Sequence, residues 1–376
     1  MLKSGRLLVV WLLGAAGFVC TLNQAVAKAD ITFEISTLAP MPIAVQEIYP
    51  TLHQGEIYVA GGLSDSLPLA QGQMTDALQI YNPAQNRWLM GPKLPEPRHH
   101  AMLVSTKDAL WIIGGFVKNP TSLTANTALS DNQQQNAQVK ASDFWQQGNW
   151  MASADVLKLP NGSKNWQKVA RLPAPLAETV SFVLGDHIHL VSGRSPQGKD
   201  NSEWGHHQDT AVHYVLNVKT LQTQQLAPVA AARNSAALVM VQQQAYWVGG
   251  RHRNLGNLAG SARFDPNTQS WQSINDMPQA QAGLAAAAIG NNLYAFGGEG
   301  ANNKSGVFAG IWRFDITTKQ WQSAGEMQPA RHGHGAVADK DAIYILGGAT
   351  TQGLKHSTAL MQLYRPTQPT TKSSQR

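Results

Sequence analysis

The chain of 376 residues contains a single cysteine, Cys20, and only 14% of its residues are charged. One cysteine cannot form an intramolecular disulfide, so the folded part must be held together by packing alone. Lysine and arginine number 29 against 23 aspartates and glutamates, a net charge of +6, and no basic run stands out. This weak and scattered charge argues against nucleic acid as a partner.

Long apolar runs are also missing beyond the first 27 residues. The chain begins like a secretory signal peptide, with Lys3 and Arg6, the run LLVVWLLGAAGFV, and a small-residue cleavage signal that ends at Ala27. The run is shorter than the roughly 20 residues that span a membrane. An uncleaved anchor and a lipidated Cys20 are the alternatives. We therefore expect residues 1–27 to be removed, which leaves a periplasmic or secreted chain that is not inserted in a membrane.

One unit recurs along the rest of the chain. Each copy has an apolar strand, a second strand ending in a glycine pair, a variable loop, a third strand, a turn, and a fourth strand with a tryptophan. The glycine pairs are Gly61-Gly62, Gly114-Gly115, Gly249-Gly250, Gly297-Gly298 and Gly347-Gly348, with Ser192-Gly193 as a sixth copy. The tryptophans are Trp88, Trp166, Trp271 and Trp321, with Thr223 at this position in the third copy.

Short β-branched and aromatic segments such as NNLYAFGG and DAIYILGG predict strands, and FDPNTQSW and FDITTKQW predict hairpin connections. Four strands per unit in six units predict an all-β fold, a six-bladed β-propeller. A glycine pair lets neighbouring blades approach closely, and a tryptophan fills the space between them.

The double glycine, the aromatic-Asp-Pro turn, the tryptophan and the Met-Pro-x-x-Arg segment resemble the Kelch repeat. The resemblance covers nearly all of residues 28–366 and implies a six-bladed Kelch β-propeller. Because Kelch propellers include both enzymes and binding modules, the fold alone does not give an activity.

The last unit lacks a fourth strand, and the first segment after the signal has no unit of its own. The stretch ITFEISTLAP aligns with KQWQSAGEMQP, which puts Phe33 at the tryptophan position and Leu38-Ala39-Pro40 opposite Met327-Gln328-Pro329. We therefore expect the N-terminal strand to complete the last blade and close the ring without an open sheet edge. Residues 367–376 are polar and are predicted to form a disordered tail.

One unit is longer than the others, because about 50 residues separate Gly115 from Trp166. The extra residues, 116–151, are mostly polar but include Trp145 and Trp150. A long loop between the second and third strands can fold over one face of the ring. The insertion is therefore either a lid over that face or an addition without a function of its own.

Two sets of loops share one face of a propeller, those after the glycine pairs and those that enter the next blade. Their polar side chains are expected to converge on a funnel at the axis, where such scaffolds bind ligands. In the first unit the matching stretch is expected at residues 42–44, an apolar sector. The predicted ligand-binding residues are Arg98, His99, Glu178, Arg194, Arg233, Arg251, Glu299, Arg331 and His332.

The roles of these residues stay open between ligand binding and support of the fold. A guanidinium can bind a carboxylate or sugar hydroxyls of a ligand, or pair with carbonyls or carboxylates of a neighbouring blade. Glu299 and Arg251 are the predicted catalytic pair, since a carboxyl near a cation and partly dry can act as acid or base. Charge balance is the alternative. His332 and His334 have no third metal ligand beside them, so no metal or other cofactor is predicted.

Two hypotheses for the function follow. The first is an exported propeller that binds a ligand, a carbohydrate or a protein, at the funnel. The second rests on a resemblance, in length, export signal and six-bladed design, to the bacterial periplasmic sialic acid epimerases (mutarotases). Their catalytic pair is a glutamate just after a blade glycine and an arginine six residues later; Glu299 matches the glutamate, but Ser305 stands at the arginine position. The resemblance implies a sugar mutarotase in which Arg251 or Arg331 serves from another blade.

Overall fold

The computed structural model describes residues 32–68, 72–120, 148–300 and 306–367. In these ranges the chain forms 31 β-strands and one short 3-10 turn, Trp204–His206, without any α-helix. No helix in the described ranges is therefore long and apolar enough to span a membrane. The predicted signal peptide, residues 121–147 of the insertion and residues 368–376 of the predicted tail lie outside the described residues.

The strands are short, as the six-unit pattern predicts. The first group is β1 (Thr32–Thr37), β2 (Thr51–His53), β3 (Glu56–Ala60), β4 (Leu78–Asn82), β5 (Arg87–Met90), β6 (Arg98–His99), β7 (Met102–Thr106), β8 (Ala109–Ile113), β9 (Phe116–Lys118), β10 (Trp150–Ala152), β11 (Asp155–Pro160) and β12 (Gln167–Arg171). The second group is β13 (Val180–Leu184), β14 (His187–Val191), β15 (Arg194–Pro196), β16 (His207–Asp209), β17 (His213–Asn217), β18 (Thr223–Gln225), β19 (Ala237–Val241), β20 (Gln244–Val248), β21 (Arg251–His252), β22 (Gly256–Asn257), β23 (Ser261–Asp265) and β24 (Ser270–Ile274). The third group is β25 (Ala285–Ile289), β26 (Asn292–Phe296), β27 (Gly310–Asp315), β28 (Gln320–Glu326), β29 (Gly335–Asp339), β30 (Ala342–Leu346) and β31 (Met361–Thr367).

Six four-stranded antiparallel sheets form the blades of a ring. From the inner to the outer strand their orders are β2-β3-β4-β5, β7-β8-β11-β12, β13-β14-β17-β18, β19-β20-β23-β24, β25-β26-β27-β28 and β29-β30-β31-β1. The inner strand of each blade contacts the inner strand of the next, and β29 contacts β2. The predicted all-β propeller is thus confirmed, and the six sheets agree with the predicted number of blades.

The N-terminal strand completes the last blade, since β1 runs antiparallel to β31. Ile35 faces Tyr364 in this pair, as Trp88 faces Tyr81 in the first blade. By this register Ile35 occupies the tryptophan position and Met41 the position of Met327, so the predicted alignment is wrong by two residues at Phe33 and by three at Leu38. The cause is the missing tryptophan, which marks the register in four of the other blades. The Phe33 ring nevertheless packs against Tyr294 and Tyr364, between the last two blades.

A ring of backbone hydrogen bonds closes around the axis. In each blade the fourth strand is followed by a buried apolar anchor and then, six residues later, by a residue with positive φ, as Leu94 is followed by His100. Each positive-φ residue donates its N–H to the carbonyl of the one before it, over 2.7–3.4 Å, and the first donates to the last. We term this ring the collar, and its residues are Glu47, His100, Glu178, Ser235, Gly283 and Gly333.

The ends of the long insertion are ordered as part of the ring. Strand β9 pairs with β10 on one side and with β6 on the other, which makes a small sheet above the second blade. Trp150 begins β10 and is fully buried, whereas Trp145 lies outside the described residues. At the other end of the chain β31 ends at Thr367, so it includes the first residue of the predicted tail.

Candidate functional site

A cavity of about 290 Å³ lies at the axis on the side of the collar that carries the loops after the glycine pairs. We term it the axial cavity. Its volume is at the small end of the range for ligand sites, which suits a small molecule. The lining residues are Glu47, Leu63, His99, His100, Glu178, Arg194, Trp204, Arg251, Glu299, His332, Gly353 and Leu354.

A constant spacing brings these side chains together. The residue before each collar residue forms a β-bridge with the first residue after the glycine pair of the same blade. Such a bridge sets the side chain after the glycine pair beside the collar, at the mouth of the cavity. The bridges that place charged residues there are Ala177 with Arg194, Asn234 with Arg251, and Ala282 with Glu299.

Six of the nine residues predicted to bind a ligand line the axial cavity. They are His99, Glu178, Arg194, Arg251, Glu299 and His332. The structure also brings the predicted catalytic pair into contact, with Nη1 of Arg251 only 2.7 Å from Oε1 of Glu299.

The structure does not bring Arg98, Arg233 and Arg331 to the cavity. All three are buried, and each donates Nη1–H to the carbonyl of the first glycine of its own blade: Gly114 at 3.0 Å, Gly249 at 2.8 Å and Gly347 at 3.1 Å. Each arginine stands two residues before the collar, so its side chain enters the blade and not the axis. These three arginines support the fold, and we no longer include them among the ligand-binding residues.

Glu47 lines the cavity but was not among the predicted residues, because the matching stretch of the first unit was expected at residues 42–44. The buried anchor of this blade is Met41, so the collar residue is Glu47 and the sector is acidic, not apolar. The spacing to the glycine pair identifies Glu47 in the sequence. Every collar residue precedes the second glycine of its blade by the same interval, so that Glu47 stands to Gly62 as Glu178 stands to Gly193.

Glu47 and His100, neighbours in the collar, form an ion pair. Oε2 of Glu47 lies 2.7 Å from Nε2 of His100. Burial would raise the pKa of Glu47, but the charges of His100, His332 and Arg251 lower it far below its usual range. Burial would likewise lower the pKa of His100, but Glu47 and Glu178 raise it. Each partner therefore keeps the other charged.

His99 is the neutral neighbour of this pair. Its Nδ1 lies 2.6 Å from Nδ1 of His100. Burial, together with the charge on His100, lowers the pKa of His99 well below its ordinary value. Since a charged His100 carries a proton on both nitrogens, His100 donates this hydrogen bond and His99 accepts it. The cavity thus holds one charged and one neutral imidazole side by side.

Arg251 is engaged by the protein on all sides of its guanidinium. Besides Glu299, it donates from Nε to Oδ1 of Asn234 at 3.0 Å and from Nη2 to Oγ of Ser235 at 3.4 Å. Burial would lower the pKa of Arg251, but the carboxylates of Glu178, Glu299 and Glu47 outweigh it and raise the pKa. Arg251 is therefore a fixed cation that positions Glu299.

Arg194 differs, because its guanidinium has open donors. Its Nη1 lies 3.7 Å from Oε1 of Glu178, beyond hydrogen-bond distance, and its buried Nε has no hydrogen-bond partner among the described residues. The side chain is only 14% exposed and lies with its guanidinium carbon 4.9 Å from the centre of a Trp204 ring. Arg194 is thus a nearly buried cation that faces the cavity with unused donors.

The charges of the side chains that line the cavity balance one another. Three carboxylates, from Glu47, Glu178 and Glu299, are matched by Arg194, Arg251 and the charged His100. In the described part of the chain no group of three or more His, Cys, Asp or Glu side chains is arranged to hold a metal ion.

Comparisons with known proteins agree with the fold. Residues 179–368 match the KLHDC2/KLHL20/DRC7 Kelch-repeats domain. The Kelch-like protein terF of Aspergillus terreus is 24% identical over 254 residues, which is 66% of this chain and 48% of that protein. Kelch-like protein 40 of Mus musculus is 33% identical over 95 residues, which is 25% of this chain and 14% of that protein.

A solved structure, described as "Structure of YjhT", is similar with a TM-score of 0.67 and 16% sequence identity. The match covers 87% of this chain and 96% of that chain, so it extends over the whole ring. At this identity it shows a common fold alone. The matched region spans less than half the length of the two Kelch-like proteins named above.

Proposed function

The chain belongs to the Kelch-repeat family, whose domain matches just over half of it, and we propose that it binds a small acidic carbohydrate in the axial cavity. The observation that carries this proposal is the Arg194 guanidinium, nearly buried and with unused donors. A guanidinium binds a carboxylate through paired, charge-assisted hydrogen bonds. A carboxylate at Arg194 would satisfy this cation in the way that Glu299 satisfies Arg251.

Hydroxyl groups fit the rest of the cavity. The carboxylates of Glu178 and Glu299 accept hydrogen bonds, and each has an oxygen that is not engaged by a strong donor. The Trp204 ring adds an apolar surface at the mouth. A ligand that combines one carboxylate with several hydroxyls matches this set of groups. The cavity is narrow, which favours a monosaccharide over the flat surface of a protein partner.

We propose further that binding takes place after export, in the periplasm or outside the cell. The support is the signal-like sequence of residues 1–27. The absence of cysteine from residues 28–376 also suits a chain that folds without relying on a redox environment.

Matched pairs of sugars test the proposal. Purified residues 28–376 are titrated in a calorimeter with N-acetylneuraminic acid and its methyl ester, and with D-glucuronic acid and D-glucose. We expect at least one acid to bind at least tenfold more tightly than its neutral partner, because the neutral sugar leaves Arg194 unpaired. Its affinity should fall as salt is raised. Equal affinity of acid and neutral partner, or no binding by any of the four, would overturn the proposal.

A second function, a mutarotase acting on the bound sugar, is favoured by the contact between Arg251 and Glu299. Opening a sugar ring requires one group to give a proton and another to take one, and Glu299 is held at the cavity by a fixed cation. Residue 305, where the resembling family has arginine, lies outside the described residues. Exchange between anomers, followed by NMR, should be accelerated by the protein and lost in Glu299→Gln but not in the exposed control Glu326→Gln. Equal rates with and without protein would exclude this function.

A further inference from the structure

His332 is a buried histidine with one nitrogen engaged and the other open. Its side chain is 1% exposed and lines the axial cavity. Nε2 lies 2.9 Å from the carbonyl oxygen of Thr351. Because a carbonyl oxygen only accepts hydrogen bonds, Nε2 must carry a proton. In the neutral ring Nδ1 is then an acceptor.

The open nitrogen faces two carboxylates. Nδ1 of His332 lies 3.7 Å from Oε1 of Glu47 and 3.6 Å from Oε2 of Glu299. Both distances exceed that of a hydrogen bond, and Nδ1 has no hydrogen-bond partner among the described residues. An ionised carboxylate only accepts, so neither one can satisfy a neutral Nδ1. Nδ1 of His332 can therefore accept a hydrogen bond from a donor group of a ligand.

The two carboxylate oxygens near Nδ1, Oε1 of Glu47 and Oε2 of Glu299, are not the ones that form the ion pairs with His100 and Arg251. Oε2 of Glu47 pairs with His100, and Oε1 of Glu299 pairs with Arg251. His332, Glu47 and Glu299 all line the axial cavity. A ligand hydroxyl can therefore approach Nδ1 from the cavity.

Nδ1 lies between the two carboxylates, at 3.7 Å from Oε1 of Glu47 and 3.6 Å from Oε2 of Glu299. A proton that passes from a ligand to Nδ1 would therefore stay beside negative charge. This geometry places His332 to accept a hydrogen bond, and then a proton, from a bound ligand.

We infer that His332 Nδ1 accepts the hydrogen bond, and then the proton, of the anomeric hydroxyl of the bound sugar. This inference rests on the proposed function. As the proton moves to Nδ1, the O–H electron pair forms the carbonyl bond of the open sugar and the bond from the anomeric carbon to the ring oxygen breaks. The ring oxygen takes a proton from water, and the hydroxide left behind recovers the proton from His332. His332 is then the base of this step, and the carboxylate of Glu299, 3.6 Å from Nδ1, faces the ring that takes up the proton.

The test compares two ligands and two variants. The ligands are the tighter-binding acid of the sugar panel, N-acetylneuraminic acid or D-glucuronic acid, and its methyl glycoside, which has no anomeric hydroxyl. The variant His332→Gln keeps an N–H for the Thr351 carbonyl but has no basic nitrogen. His252→Gln, outside the axial cavity, is the matched control. Thermal unfolding establishes that both variants fold.

We expect the wild type and His252→Gln to bind the free sugar about tenfold more tightly than the glycoside, since the glycoside leaves Nδ1 unpaired. His332→Gln should bind both alike, and the exchange of anomers should slow by tenfold or more. Histidine-labelled protein gives an independent readout by nitrogen NMR. The free protein should show His332 protonated at Nε2, with an Nδ1 signal that shifts when the free sugar is added.

The possible failures can be told apart. If the acid binds and His332→Gln keeps the wild-type preference for the free sugar, only the role of His332 is overturned. An Nδ1 signal that does not respond to the sugar has the same meaning. If neither acid binds to the wild type, the proposed function and this inference both fall.

Discussion

Arginine occurs in two regions of this molecule, the interior of the blades and the axial cavity, with different partners. Arg331, in the sixth blade, donates to the carbonyls of Gly347 and Leu360 and to Oε1 of Gln362. Nη1 of Arg194, at the cavity, lies 3.7 Å from Oε1 of Glu178, beyond hydrogen-bond distance. Among the described residues Nε is without a partner in both arginines, so the two differ in their terminal nitrogens, which Arg331 uses to hold the protein together and Arg194 does not.

Histidine shows the same contrast. In the third blade His189 and His213 lie 2.9 Å apart, packed against Phe182 and Phe264. Burial lowers the pKa of His189 to about 3 and that of His213 to about 4. At the cavity, carboxylates hold His100 charged. A residue type does not define a role here, because the partners supplied by the register of each blade decide it.

The largest effect is expected from breaking a blade arginine. Arg331→Leu removes the donors for two buried carbonyls and one side-chain oxygen, and each buried acceptor left unpaired costs on the order of 1–3 kcal/mol. We expect the free energy of unfolding in urea to fall by about 4 kcal/mol. Arg365→Leu, an exposed position in strand β31 of the same blade, should change it by no more than about 0.5 kcal/mol. Similar losses in the two variants would contradict the structural role of Arg331.

The second effect is the loss of stability in acid that the buried histidine pair causes. Both pKa values are lower in the folded chain than the unfolded value of roughly 6.5, so the unfolded state binds more protons below that pH. Their contribution is present above pH ~6.5 and falls as the pH drops toward the folded values. Between pH 7.5 and pH 5 we expect a loss of roughly 2 kcal/mol from each histidine. Urea unfolding of His213→Gln should show a smaller loss than the wild type over this interval.

His100 should act in the opposite direction. Its pKa is raised in the folded chain, so its contribution is present below the unfolded pKa and is lost as the pH rises through the folded value. His100→Gln should therefore make the acid loss of stability steeper, whereas His213→Gln makes it shallower. If both variants shift the pH profile the same way, the contrast between the two regions does not hold.

The sequence revealed the ring because its markers reflect steric necessity. A Cβ at Gly61 would lie 2.2 Å from the carbonyl oxygen of Arg98 in the next blade, and the φ of Gly61 is +67°. No other residue fits there without strain, so the glycine pairs can be recognised from composition alone. The residues just after them, such as Arg194 and Glu299, could then be assigned to the axis.

The direction of the side chains just before each collar residue, such as Arg98 and His99, could not be predicted in the same way. It depends on the positive φ of the collar residue, and His100 and Glu178 adopt that conformation although nothing in their type requires it. Arg98 therefore looked equivalent to His99, yet one enters the blade and the other the cavity. Glu47 was not predicted because Ile35 stands where four of the other blades have a tryptophan that marks the register.

Changing the cavity arginine should reverse the pattern expected for Arg331. Arg194→Gln keeps the length and polarity of the side chain but removes its charge. Charged hydrogen bonds contribute about 1.5–3 kcal/mol, so we expect the affinity for the acidic sugar to fall ten- to a hundredfold while urea stability stays within about 0.5 kcal/mol. Arg171→Gln, on the outer strand β12, serves as the control and should bind like the wild type. A variant that loses stability but keeps its affinity would return Arg194 to a supporting role.

The smallest effect is expected from the aromatic support of Arg194. The Trp204 ring lies 4.9 Å from the Arg194 guanidinium, and the residue is 36% exposed. A cation–π contact at an exposed site contributes about 0.5–1 kcal/mol. Trp204→Leu should therefore lower the affinity for the acidic sugar about threefold to fivefold in the calorimeter, with little change in unfolding. Trp88→Leu gives the opposite comparison, since its ring donates to the carbonyl of Ala39 and packs between blades. Trp88→Leu should lower the free energy of unfolding and leave the affinity for the acidic sugar unchanged. If Trp204→Leu gives the same result, the Trp204 ring supports the blades and is not part of the binding site.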